Sequence, residues 1–123
     1  MKIAIASSGE TLDAPVDPRF GRARAFILYD TESREWSVLD NAQNLNAPQG
    51  AGIQAASQVA NAGAQAVLAG NCGPKAFAAL SGAGLAVYTT PSLTVQQAIE
   101  KFRAGDLEPA HEANVGARFG TGG

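Results

Sequence analysis

The chain is poor in the residue types that build most catalytic and metal centres. Its 123 residues include one cysteine, Cys72, and one histidine, His111. A single cysteine cannot form an internal disulfide, which fits a reducing compartment, and we expect a cytoplasmic protein. One thiol and one imidazole far apart in the chain also offer no nucleophile and base pair, so we expect a protein that is not an enzyme.

Charge is scarce and unevenly distributed. The formal net charge is -2, and between Asn41 and Ile99 the only charged residue is Lys75. This balance argues against a nucleic-acid partner, because neutralising phosphates requires a basic face. Little charge opposes contact between two copies of the weakly charged half, so a homo-oligomer is a further expectation.

Long apolar runs are absent from the sequence. The stretch after Lys2 covers only Ile3 to Ala6, far short of the ~20 residues of a membrane span, so we expect no membrane partner. Hydrophobic residues make up 46% of the chain, many of them alanine. The length therefore predicts one domain whose core is built from small side chains.

Short apolar or alternating runs predict five strands, at residues 2–6, 25–30, 35–40, 66–70 and 85–88. Helical periodicity starts only after the third strand. One amphipathic helix follows Gly50 and ends at Gly63, and a second begins at Pro74. Thr94 and Gln97 have the spacing of a capping box, which predicts the start of a third helix.

This order of elements predicts a five-stranded mixed sheet of order 3-2-1-4-5 with strand 2 antiparallel. Strands separated by helices run parallel with right-handed crossovers, and the hairpin places strands 2 and 3 on the other side of strand 1. With three helices on its faces, this is a three-layer, ribonuclease H-like α/β fold. We expect one domain over residues 1–108, and an irregular, mobile tail over residues 109–123, which lack periodicity.

The connection after the first strand carries the sequence VDPRFGRAR at residues 16–24. Loops at the carboxyl ends of parallel strands share one edge of an open sheet. Two helices are predicted to begin there, and their N-terminal N–H groups would join the cations in binding an anion. The candidate anion-binding or cluster-binding residues are Asp17, Arg19, Phe20, Gly21, Arg22, Gly50, Gly52, Asn71, Gly73 and Lys75. Alternatively, Arg19 pairs with Asp17, and Arg22 with a nearby acid, only to hold a long loop.

Cys72 and His111 are the candidate metal ligands. Cys72 lies just before the predicted second helix, where a thiolate is favoured and metal or sulfur chemistry can occur. The alternative is a buried thiol that acts as a small hydrophobic residue. For His111, near the end of the chain, the alternative is an ordinary surface residue.

Several segments together resemble one known family. They are MKIAIASSG, VDPRFGRA, GAGIQAA, AGNCGPKAFAAL and TVQQAIEKFRAGDL, in this order between residues 1 and 107. They resemble the dinitrogenase iron-molybdenum cofactor biosynthesis family, the small NifX/NafY-like proteins. The resemblance implies a ribonuclease H-fold carrier that transiently holds an iron-sulfur or iron-molybdenum-type cluster, or its precursor, between donor and acceptor proteins.

The sequence departs from that family at one position. Members that act in nitrogenase cofactor traffic often have histidine directly before the Phe-Gly of the opening loop, where this chain has Arg19. Either Cys72 then supplies a sulfur ligand, or Arg19, Arg22 and Lys75 hold an anionic cluster by charge.

Two other functions fit the same residues. The arginine-rich loop could serve a sensor that binds an anion or a phosphorylated metabolite without any metal. The chain could also be a structural partner protein whose surface, and not its sheet edge, carries the interaction.

Overall fold

The computed structural model describes residues 1–41 and 50–111, which form five strands and three helices. In chain order these are β1 (Lys2–Ser7), β2 (Ala25–Asp30), β3 (Trp36–Asp40), α1 (Ala51–Asn61), β4 (Ala66–Ala69), α2 (Pro74–Gly82), β5 (Ala86–Thr89) and α3 (Val95–Ala104). Strand bounds differ from the predicted ones by at most one residue. Within these two ranges, no helix is both long and apolar enough to cross a membrane.

The five strands form one mixed sheet in the order β3-β2-β1-β4-β5, which confirms the predicted topology. β2 is antiparallel to both of its neighbours, whereas β4 runs parallel to β1 and to β5. The carboxyl ends of β1, β4 and β5 therefore meet at one end of the sheet. We call this the carboxyl end.

Alternation along β1 assigns different side chains to the two faces of the sheet. Ala4 and Ala6 belong to the core that α1 and α2 cover, whereas Ile3 and Ile5 belong to the core beneath α3. Side chains at alternate positions of a strand point to opposite faces. On the face that carries two helices, β1 thus contributes only alanines to the core.

The opening loop (residues 8–24) crosses the carboxyl end from one face of the sheet to the other. Val16 packs in the α3 core and donates its N–H to the Leu93 carbonyl at 2.9 Å. Phe20 packs in the opposite core, with its ring centroid 5.1 Å from that of Phe26. We call residues 17–20, which make this passage, the crossing segment.

Backbone hydrogen bonds fix the crossing segment between the ends of β1 and β4. Asp17 donates its N–H to the Ala6 carbonyl at 2.8 Å, and its own carbonyl accepts from Gly70 N–H at 3.2 Å. Phe20 N–H donates to the Asn71 carbonyl at 3.1 Å. A Cβ at Gly70 would lie 2.7 Å from Pro18 Cα, so the approach requires glycine at this position.

The chain after α3 returns to the edge of the sheet. Pro109 forms an isolated antiparallel bridge with Tyr88 of β5, and Ala110 N–H donates to the Val87 carbonyl at 2.7 Å. From residue 112 onward, the predicted tail lies outside the described residues.

Replacing Gly70 with alanine should destabilise the protein, because the new Cβ meets the Pro18 backbone and cannot be relieved by a side-chain rotation. We expect Gly70→Ala to lower the free energy of unfolding by about 1–3 kcal/mol in urea titrations. Gly82→Ala is the matched control, since a Cβ there meets nothing within 4 Å. It should be neutral or slightly stabilising. Equal effects of the two substitutions would contradict the close approach.

Candidate functional site

Three segments that are distant in the chain are in backbone contact at the carboxyl end. A Cβ at Gly21 would lie 2.7 Å from Gly52 Cα, and a Cβ at Gly52 would lie 2.9 Å from Ala76 Cβ. The opening loop therefore touches the first turn of α1, which in turn touches the first turn of α2. We call residues 19–22, 50–52 and 71–75 the basic rim.

The two helices that begin at the basic rim lack side-chain caps. Their N-cap residues are Gly50 and Gly73, and neither helix has an acidic residue in its first turn. The first N–H groups of a helix have no intrahelical acceptor, and they carry a partial positive charge. No side chain caps these groups, and Pro74 has no N–H. Gly21 packs close to the Gly52 amide nitrogen, so the opening loop covers part of the first turn of α1.

The third helix that begins at this end, α3, differs from the other two because its N-terminus is capped by side chains. Thr94 Oγ1 accepts from Gln97 N–H at 3.1 Å, and the Gln97 side chain completes the predicted capping box. Val95 and Gln96 donate their N–H groups to carbonyls of the opening loop, both at 2.9 Å. The protein itself satisfies these donors of α3, so an anion would bind preferentially at α1 and α2.

Two cationic side chains of the rim are exposed to solvent. Arg19 and Lys75 form no ion pair with the residues that the structure describes, whereas Arg24 pairs with Glu10 at 3.3 Å. Arg22 is half-buried in the same loop. The charges of Arg19 and Lys75, which no described carboxylate neutralises, therefore remain available to an anion from solution.

Asp17 is not the ion-pair partner of Arg19 that the alternative interpretation required. Its side chain is buried, with 7% exposure, and Oδ1 accepts from the backbone N–H of Arg19 at 2.9 Å. Oδ2 accepts from Ser8 Oγ at 3.3 Å. Asp17 thus stabilises the turn of the crossing segment without neutralising the Arg19 guanidinium.

Two of the predicted site residues are core residues. Phe20 and Cys72 are each 1% exposed and belong to the core beneath α1 and α2. Burial raises the pKa of the Cys72 thiol to about 11, so the thiol is protonated at neutral pH. This favours the alternative in which Cys72 packs as a small hydrophobic residue.

The other predicted metal ligand, His111, is exposed and follows the bridge between Pro109 and β5. In the described part of the chain, no hydrogen bond or ion pair joins it to the basic rim. Across residues 1–41 and 50–111, no group of three or more His, Cys, Asp or Glu side chains is placed to hold a metal ion. The described residues therefore suit binding by charge and hydrogen bonds better than coordination.

Asn41 supports the basic rim, although its sequence position did not single it out. Its side chain is fully buried and donates from Nδ2 to the Ala23 carbonyl at 2.7 Å and to the Gly21 carbonyl at 3.4 Å. It thereby joins the end of β3 to the loop that carries Arg22. The sequence signal for this role is a polar residue directly after a strand. The same pattern is equally typical of an exposed turn, so it does not identify a buried supporting residue.

A cavity of about 580 Å³ lies on the α3 side of the crossing segment. We call it the neutral pocket. It is lined by Ser8, Pro15, Val16, Pro18, Gln97 and the segments 70–71 and 90–94. The sequence predicted that the strand ends at this position meet. It did not predict that the start of α3 forms one wall of a pocket there. Pro18 and Asn71 belong to the wall, so the pocket adjoins the basic rim.

The fold and the rim together define a small α/β protein with exposed cationic side chains at one edge of its sheet. Residues 1–105 match the family described as dinitrogenase iron-molybdenum cofactor. The chain belongs to this family, which confirms the resemblance read from its motifs. Members relate to the iron-molybdenum cofactor of dinitrogenase and include NifX-like proteins.

Two solved structures and one further relative are similar to this chain over nearly its whole length. The apo form of the orange protein from Desulfovibrio gigas is 41% identical, with a TM-score of 0.90, over 93% of this chain and 96% of that one. A Thermotoga protein described as a candidate NifB protein of the DUF35 family is 35% identical, with a TM-score of 0.82, over 94% and 98%. An uncharacterized protein of Methanocaldococcus jannaschii is 32% identical over 88% of this chain and 90% of its own length.

The buried thiol predicts a specific dependence of stability on pH. In the unfolded chain Cys72 ionises near pH 9.0, whereas in the folded protein its pKa is about 11. Ionisation therefore stabilises the unfolded state first, and the contribution to stability that is present below pH 9.0 disappears as the pH rises through 11. Urea titrations at pH 8 and pH 10.5 should show a larger loss for the wild type than for Cys72→Ala. Parallel losses would contradict the buried thiol.

Proposed function

We propose that this protein is a non-enzymatic, cytoplasmic carrier or scaffold for an iron-sulfur or molybdenum-containing cluster, or its precursor, during metallocofactor assembly. One observation carries the proposal: Arg19, Lys75 and the uncapped first turns of α1 and α2 converge at one end of the sheet. Membership of the iron-molybdenum cofactor family supports a cluster as the anion. Donor and acceptor proteins are the partners that such a role requires.

The chemistry of the rim suits a cluster bound through its outer sulfur atoms. Sulfide-bridged clusters of this kind are anions, and charge-assisted hydrogen bonds to ionised groups are about twice as strong as neutral ones. Guanidinium, ammonium and backbone N–H groups can all donate to such an anion without forming a bond to the metal. A carrier that holds its cargo in this way releases it without breaking a metal–protein bond.

Arginine at position 19 favours binding by charge over coordination of a metal. A histidine there would offer a ring nitrogen to a metal, whereas Arg19 can only donate hydrogen bonds. Cys72 is buried in the core and protonated, so it offers no thiolate in place of the missing histidine. The proposed binding mode is therefore electrostatic, with the protein as a donor cradle around the cluster.

A relative supports the proposal that this protein binds a group, and the topology supports the proposed type of fold. The orange protein structure is of an apo form, the term for a protein without its bound group. We also infer a ribonuclease H-like fold from the strand order, from β2 as the antiparallel strand, and from helices on both faces of the sheet.

An anion or phosphometabolite sensor is the second candidate function. Helix N-termini with exposed N–H groups bind phosphate as readily as they bind other anions. The observation in its favour is that every donor named for the cluster also fits a phosphate oxygen. The two functions differ in whether metal accompanies the anion.

Removing the exposed rim charges should weaken cluster retention. After anaerobic reconstitution with iron, sulfide and molybdate, we expect Arg19→Gln/Lys75→Gln to retain at least roughly tenfold less metal than the wild type, since the loss of even one charged hydrogen bond of ~1.5–3 kcal/mol lowers the affinity by that factor. Metal content after desalting, by elemental analysis, is the measurement.

The matched control is Lys101→Gln/Arg103→Gln, which removes the same two residue types from the last turn of α3, at the opposite end of that helix. It should load like the wild type. Equal loading of both double variants would contradict a role for the rim. A metal-free wild type that phosphate stabilises against heat would instead support the sensor.

A further inference from the structure

The geometry points to a second ligand site, the neutral pocket, that takes an uncharged heterocyclic molecule such as a nucleoside. The pocket lies on the opposite side of the crossing segment from α1 and α2, shares Asn71 with the basic rim, and does not depend on the cluster proposal. Its position is typical of ligand sites, because it lies beyond the carboxyl ends of β1, β4 and β5. Its volume of about 580 Å³ is in the usual range for small-molecule pockets.

The lining of the pocket selects against charge. Its residues are serine, threonine, proline, glycine, asparagine, glutamine, valine and leucine, with no ionisable side chain among them. The start of α3 forms one wall, but its N–H groups donate to Thr94 Oγ1 and to carbonyls of the opening loop. Among the described lining residues, an anion that entered the pocket would lose water without gaining a cation or an unused helix terminus.

Thr90 supplies a hydrogen-bonding group that the protein itself does not use. The residue lines the pocket at 8% exposure, and its Oγ1 is buried without a hydrogen-bond partner among the described residues. Buried polar groups in native proteins are almost always paired, and an unpaired one is destabilising. Rotation of χ1 to another staggered position would move Oγ1 to a different side of Cβ, and the position that faces the pocket would offer it to a ligand.

Asn71 gives the site its preference for a heterocycle. It lines the same pocket, and no hydrogen bond of its side-chain amide to the described residues is found. A carboxamide presents one acceptor next to two donors, and it pairs in a bidentate manner with a ring edge that carries an adjacent donor and acceptor. Pro15, Pro18 and Pro91 form rigid apolar walls on which a flat ring can pack.

Titration of the ¹⁵N-labelled protein with adenosine or uridine, at millimolar concentration, tests the site by NMR. Shifts should concentrate on the backbone amides of Asn71 and residues 92–94, and ribose or inorganic phosphate should not reproduce them. Thr90→Val keeps the shape of the side chain but removes the hydroxyl, and it should weaken binding roughly 3- to 10-fold. Thr90→Ser keeps the hydroxyl and should bind within about twofold of the wild type.

The unliganded variants give a second readout that needs no ligand. Because Thr90→Val removes a buried hydroxyl without a partner, its melting temperature should exceed that of the wild type. A lower melting temperature would show that the hydroxyl is satisfied in the free protein and would overturn the inference. So would the absence of localised shifts with both nucleosides, or equal shifts with ribose or phosphate.

Discussion

The close approach of Pro18 to Gly70 is the constraint on which the rest of the structure depends. At this point the opening loop passes over the end of the sheet, held by backbone hydrogen bonds from β1 and β4 and by the buried carboxylate of Asp17. Because the passage is narrow, Val16 can pack on one face while Phe20 packs on the other. The same passage places Arg19 in solvent beside the two helices that start at Gly50 and Gly73.

The carboxyl end is chemically divided by this crossing. On one side, two helices begin at glycines, and their first turns are left without side-chain caps. On the other side, α3 begins with a complete capping box, and loop carbonyls accept its next N–H groups. A fold of modest size thus presents a cationic rim and an uncharged pocket side by side, and each suits a different class of ligand.

Sequence patterns predicted the fold and the convergence of the rim, but not the environment of single side chains. Periodicity located the strands and helices, and the rules for parallel connections brought residues 16–24, 50–52 and 71–75 to one end of the sheet. Whether Cys72 is a ligand or a core residue depends on its exposure, which its position before a helix does not determine. The pairing of Asp17 with a backbone N–H, and the wall that α3 gives the pocket, depend on contacts between distant segments that no local pattern encodes.

In the proposed binding mode, charge and not a thiolate holds the cluster. The most direct measurement is the affinity of the reconstituted cluster as a function of salt concentration, for the wild type and for Cys72→Ser. Affinity should fall steadily as salt rises, because salt screens exposed charges, and the serine variant should follow the same curve. Binding that is insensitive to salt and lost in Cys72→Ser would contradict electrostatic binding of the cluster.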